Sequence, residues 1–154
     1  MSAFIAELEA RFDDERGRDL DALIDELTDA ERASVTLSAR LAGADGDITL
    51  VLRGGSTITG SVLDSTRSWV LLHGSRDDSL IMLSAIVAAW PLGRSVAREA
   101  SVRGGVGVGH VLRELGERGV GVVVESDGGD HRGAIDAVYA DHVDVALDGE
   151  AFTY

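Results

Sequence analysis

The chain has 154 residues, 45% of them hydrophobic and 27% charged, enough for one ordinary domain or two very small ones, and this composition argues against wholesale disorder. Its 27 acids against 14 bases give a net charge of −13, and every base is arginine. That balance argues against a general grip on nucleic acid, which gains affinity by setting Lys and Arg against phosphates. There are no cysteines, which excludes disulfides, thiol catalysis and cysteine-ligated metal or iron–sulfur sites.

The segment Met1 to Glu9 turns acidic early and lacks the basic start and long apolar run of a secretory signal. The longest notable charge-free stretch, Leu80 to Gly93, is shorter than the roughly 18–20 apolar residues that cross a bilayer. A cytoplasmic location is expected. Charge divides the chain into thirds: residues 1–46 carry −7, 47–100 carry zero and 101–154 carry −6.

Residues 1–46 read as a helical segment. Phe4, Ile5, Leu8 and Phe12 fall at helical spacing, and Gly17 interrupts them. Leu20, Leu23, Ile24 and Leu27 then repeat as an apolar stripe. Thr28-Asp-Ala-Glu31 has the form of a capping box, which predicts a further helix over about 29–42 with Ala30, Ala33, Leu37 and Leu41 on one face. The acids lie mostly off these stripes, as a solvated face would place them. The stripes themselves suit self-association or a partner, because short amphipathic helices need something to pack on.

From residue 47 the period changes to two. Ile48, Leu50 and Leu52 alternate with polar or smaller residues, and Arg53-Gly-Gly-Ser-Thr57 is a turn signal. Ile58-Thr-Gly60-Ser-Val62, Trp69-Val-Leu-Leu72, Leu80-Ile-Met-Leu83 and Ala85 to Trp90 complete five short strands, which predict a small bent barrel over 47–91. Gly60 inside a strand marks a bend or a close backbone approach.

The pattern then returns. Val120, Val122 and Val124 mirror Ile48, Leu50 and Leu52 at an offset of 72. Gly133-Ala-Ile135 mirrors Gly60-Ser-Val62, and Val143 and Val145 mirror Val70 and Leu72, at an offset of 73. One residue inserted in the second Gly-Gly turn accounts for the shift. Residues 92–109 read as a linker, and 110–154 as a helix (about 107–117, with His110-Val-Leu-Arg-Glu-Leu115) and a second barrel. The second barrel is expected to be incomplete, because the counterpart of Leu83-Ser-Ala-Ile86 would fall beyond Tyr154.

Ile48-Thr-Leu50-Val-Leu52-Arg-Gly-Gly55-Ser-Thr-Ile58-Thr-Gly60-Ser-Val62 resembles the first signature of Sm-like domains, and Leu80-Ile-Met-Leu-Ser-Ala-Ile86 resembles the family's fourth strand running into its fifth. The resemblance covers 47–90 well and 119–154 weakly. The whole chain also looks like actinobacterial proteins, with arginine-only, Ala- and Val-rich usage that suits a high-GC genome. The resemblance implies a helix followed by a five-stranded bent barrel, association through strands four and five, and in many members RNA binding. The expected fold is therefore α+β, mainly β: a helical N-terminal segment and two small Sm-like barrels, each preceded by a helix. The family's RNA contacts draw on an aspartate and an asparagine between strands two and three. Those places hold Thr66 and Val70 in the first copy and Tyr139 and Val143 in the second, and Ile86 to Trp90 lacks the family's later basic pair.

No catalytic constellation converges. The glycine run Gly104 to Gly109 lacks a preceding strand and a lysine, and reads as linker or helix start. Asp130, His131, Asp141, His142 and Asp144 read as solvent-facing rather than metal-ligating residues, with His142 and Asp144 on one strand face. His73-Gly-Ser75 lies in a turn with no oriented acid. Trp69 and Trp90 suit rim packing better than base stacking. No catalytic residue, cofactor, metal or small-molecule substrate is expected. The expected function is a non-enzymatic protein-interaction or assembly module, with Phe4, Leu8, Phe12 and Tyr154 as the interaction surface and a protein partner or self-association implied. The alternative is an RNA-associated regulator using Arg53, Arg67 and Arg76, together with Arg94, Arg98 and Arg103. A misread helix-turn-helix over 18–42, exposing Arg32, Ser34, Thr36 and Arg40, is the weaker nucleic-acid reading.

Overall fold

The computed structural model describes residues 2–94, 106–147 and 150–154, with side chains from Ile5 onward. The side chain of Phe4, together with Arg98, Arg103, Gly104 and Gly105, lies outside the described residues. The chain is α+β, with a long N-terminal helix and two antiparallel sheets, and divides into Met1–Thr36 and Leu37–Tyr154.

The first unit is a single helix, α1, over Ser2–Ser34, so the breaks expected at Gly17 and Thr28 do not occur. A glycine inside a helix costs only about 1 kcal/mol relative to alanine, and Gly17 stands between two arginines, which are good helix formers. Thr28 does not cap. Its hydroxyl donates to the Ile24 carbonyl at 2.8 Å, the back-bond available to a threonine inside a helix. The helix ends at Ser34 instead. There the Ser34 hydroxyl donates to the Glu31 carbonyl at 2.7 Å and the Val35 amide to the Arg32 carbonyl at 3.2 Å, tightening the last turn.

The second unit begins with a short helix, α2, at Leu37–Ala42. Five strands follow: β1 Asp47–Leu52, β2 Thr57–Ser65, β3 Trp69–His73, β4 Asp78–Met82 and β5 Ile86–Trp90, with a 3₁₀ turn at Leu83–Ala85 between the last two. Their order is β4-β3-β2-β1-β5, all antiparallel. The expected barrel is thus an open sheet whose edges are β4 and β5. Alternation places Ile48 and Leu50 of β1, Val70 and Leu72 of β3 and Ile81 of β4 on one face, where Leu41 of α2 joins them. Burying each such side chain contributes about 1.5–3 kcal/mol. The Ser65 hydroxyl donates to the Ser38 carbonyl at 3.2 Å and ties α2 to β2 inside this core.

A third helix, α3 at Val108–Glu117, precedes β6 Gly121–Ser126, β7 Gly129–Val138, β8 Val143–Leu147 and β9 Glu150–Thr153, in the order β6-β7-β8-β9. The second unit was expected to be an incomplete barrel; among the described residues it is an open sheet of four strands. The core is thin here: among the described residues of this part, only Ile135 and Val145 are buried hydrophobics.

The pairing of the two sheets runs in parallel. Ser61 faces His73 and Ala134 faces Ala146; Val62 faces Leu72 and Ile135 faces Val145. The register slips between Val62 and Asp64 in one sheet and between Ile135 and Ala137 in the other. The Thr66 amide bonds the Trp69 carbonyl, and the Tyr139 amide bonds the His142 carbonyl. Every one of these pairs is related by a shift of 73. For the first strands the shift is 74, not 72: Ile48 faces Gly60, and Val122 faces Gly133. Gly133 accordingly follows its partner Val122 by 11 residues where Gly60 follows Ile48 by 12, so the second hairpin is one residue shorter between equivalent pairs, not one longer. Two residues separate 72 from 74, so the same side chains face inward on either count and alternation alone does not distinguish them.

Candidate interaction surfaces

Among the described residues, α1 carries the most exposed large hydrophobic side chains of any element. Ile5, Leu8, Phe12, Leu20, Leu23, Ile24 and Leu27 are all at least 44% exposed. Helical spacing gathers most of them along one side, with Glu9, Arg16 and Asp19 interrupting the stripe near its middle. The predicted surface residues Leu8 and Phe12 belong to it. Tyr154 does not. It follows β9, its amide and carbonyl both bond Val143, and its ring packs against His131 at 5.6 Å.

His131 also departs from expectation. It does not face solvent: its ring stacks on Phe152 at 4.9 Å, inside the second sheet. Its Nδ1 and the Tyr154 hydroxyl are both buried without a hydrogen-bond partner. His142 lies in the turn before β8 rather than on the strand beside Asp144. It stacks on Tyr139 at 4.4 Å, and its Nδ1 is 2.7 Å from the Asp141 carboxylate. That hydrogen bond, and then the charge of the ring, hold the Asp141 carboxyl below its ordinary value. Asp144 instead accepts a hydrogen bond from the Thr153 hydroxyl at 2.7 Å. Among the described residues no three His, Asp or Glu side chains converge as metal ligands.

The three candidate arginines occupy separate places. Arg53 donates its Nε to the Ser84 carbonyl at 2.8 Å, which fastens the β1–β2 turn to the 3₁₀ turn. Arg67 is exposed in the β2–β3 turn, next to Ser68, whose carbonyl accepts from the Leu83 amide. Arg76 is exposed in the β3–β4 turn, at the other end of β3. Arg94 is also exposed. Of the helix-turn-helix candidates, Arg32 pairs with Asp29 at 3.3 Å, and Arg40 donates to the Leu92 and Gly93 carbonyls at 2.9 and 3.2 Å.

Two residues do more structural work than the sequence indicated. The Thr66 hydroxyl accepts from the amides of Ser68 and Trp69 at 3.2 and 3.1 Å and shapes the β2–β3 turn. Asp78 stands directly across from His73, its carboxylate 2.7 Å from Nδ1, so an acid does orient that imidazole. Both groups are solvated, and the pair is a cross-strand contact. Trp69 is buried, with its indole N–H donating to the Val106 carbonyl at 3.0 Å, whereas Trp90 on edge strand β5 is half exposed. Gly107 precedes α3 as its N-cap, with no side chain to offer.

One shallow groove of about 280 Å³ runs between α3 and β7, lined by Arg113, Glu117, Ile135 and Asp136 among others. No described helix is long and apolar enough to cross a membrane. Searches of family models, curated proteins and solved structures find no match to this chain.

Proposed function

We propose that the chain is a non-enzymatic, cytoplasmic protein-interaction or assembly module, built from a tandem pair of Sm-like units behind a docking helix. The observation that carries this reading is the exposed stripe of α1. A helix of 33 residues with so many solvated Leu, Ile and Phe side chains gains its stability from an apolar surface laid against it. The Sm-like part of the reading draws support from three features. A helix precedes each sheet, the pairings recur at a shift of 73, and β4 and β5, the strands through which that family associates, are the two free edges of the first sheet.

Affinity capture of the intact chain, compared with a Leu23→Glu/Leu27→Glu variant, tests the reading. The expected result is self-association or a discrete protein partner that the variant loses. Retention of every contact by the variant, or the absence of any contact, overturns it.

A second reading, an RNA-associated regulator, rests on the exposure of Arg67 and Arg76. It ranks lower because Val70 is fully buried in the core and the Thr66 hydroxyl is engaged by its own turn. A gel shift at low salt should show no complex with single-stranded RNA; a salt-sensitive complex would favour this second reading.

A further inference from the structure

We propose that the outer edge of β6 is a strand-acceptor site, filled by an extended apolar segment of a partner protein that places a basic residue opposite Glu125. The inference rests on reading the chain as an interaction module, but concerns a surface separate from α1.

The two sheets differ at one place. β1 lies between β2 and β5, whereas β6 has β7 on one side and no strand on the other among the described residues. The registers make the two strands equivalent: Ile48 and Leu50 face Gly60 and Ile58, while Val122 and Val124 face Gly133 and His131. Their cover is not equivalent. Ile48 and Leu50 are 0% exposed, but Val122 and Val124 are only half-buried, and Val123 is 51% exposed. In the first sheet Leu83, Ile86, Ala89 and Leu92, on or flanking β5, pack against the core. No described strand occupies the corresponding place beside β6. Leu41 of α2 is fully buried, yet α3 has no buried residue.

A second observation points the same way. The Nδ1 of His131 and the hydroxyl of Tyr154 are buried and unpartnered, at the places that Ile58 and Ile81 occupy in the first sheet. Polar groups thus stand where the first sheet places isoleucines, so the second interior buries less apolar surface of its own and gains more from an added apolar strand. An unpaired, valine-rich edge is a template for strand addition.

The first sheet also gives the chemistry of the occupant. β5 runs antiparallel to β1, with Leu50 facing Ala89 and Val51 facing Ala88. Transposed to β6, these are the partners of Val124 and Glu125. The incoming segment must therefore be small and apolar where it meets Val124. Glu125 is the one charged residue of β6, so a basic side chain in the place of Ala88 completes a cross-strand ion pair.

The test uses a synthetic peptide with the sequence of residues 83–92 and versions carrying Ala88→Arg or Ala88→Glu, titrated into the intact chain while amide exchange is followed. The expected result is slowed exchange across Gly121–Ser126 with β1 unchanged, since β1 already holds its own fifth strand. The Ala88→Arg peptide should bind on the order of threefold more tightly than the parent, and the Ala88→Glu peptide more weakly. A Glu125→Arg chain should invert that ranking. Protection confined to β4 or β9, a ranking indifferent to residue 125, or concentration-dependent protection of β6 without peptide, which would mark a second copy as the occupant, overturns the proposal. Binding here does not depend on the α1 stripe, so Leu23→Glu/Leu27→Glu leaves it unchanged even if the α1 reading fails.

Discussion

Gly60 and Gly133 meet the same obstacle: a Cβ on Gly60 would press into the carbonyl of His73, and a Cβ on Gly133 into the carbonyl of Ala146. Both glycines and both carbonyls are related by a shift of 73. Neither glycine has a positive φ. What each position requires is space, because the backbone of the neighbouring strand approaches it closely.

Alanine at either glycine should therefore destabilise the chain by more than about 1 kcal/mol, since the clash is with backbone that does not swing aside. Gly133→Ala should raise amide exchange in β7 and β8 and leave β2 and β3 protected, while Gly60→Ala should do the reverse. Hydrogen exchange of the two variants checks this. Equal effects on both sheets would contradict the local reading.

Equivalent core positions should differ in sensitivity. Leu50→Ala, at a fully buried site, should cost about 2–5 kcal/mol, whereas Val124→Ala, at the half-buried counterpart, should cost about 1 kcal/mol. Urea unfolding of each variant measures the difference.

The Thr66 hydroxyl closes the β2–β3 turn through two backbone amides, so Thr66→Ala should cost about 1 kcal/mol. Thr66→Ser should retain most of that stability, because it keeps the acceptor. Thermal unfolding of the two variants distinguishes loss of the hydrogen bonds from loss of the methyl group.

The sequence was most informative where burial alternates. Ile48, Leu50, Val70 and Leu72 announced the first sheet because one face is dry and the other wet. It was least informative where the deciding contact is non-local or marginal. Gly17 carries a small helix penalty that its neighbours absorb, so α1 continues through it. β9 is four residues long and left no alternating signal of its own. The cross-strand partner of His73 lies five residues on, within a turn that reads as merely polar. Tyr154 and His131 read as surface groups, because their burial depends on strand pairing in the second sheet. Of the proposed interaction surface, the α1 stripe was legible from spacing alone, and the edge of β6 required the pairing register.

The Asp141 carboxyl is held below the ordinary carboxylate value by its bond to His142. A depressed folded value stabilises the native state above the ordinary carboxylate range, and that contribution is lost as pH falls through the folded value. Carboxyl NMR titration should show the Asp141 midpoint rising toward the ordinary value in His142→Ala. An unchanged midpoint would contradict the assigned cause.

The native mass of the purified chain, with and without Leu23→Glu/Leu27→Glu, is the most direct measurement. The account predicts a mass above the 16.2 kDa of one chain, from self-association or a co-purifying protein, that the double substitution returns to that value. A single-chain mass at every concentration, with nothing co-purifying, would contradict it.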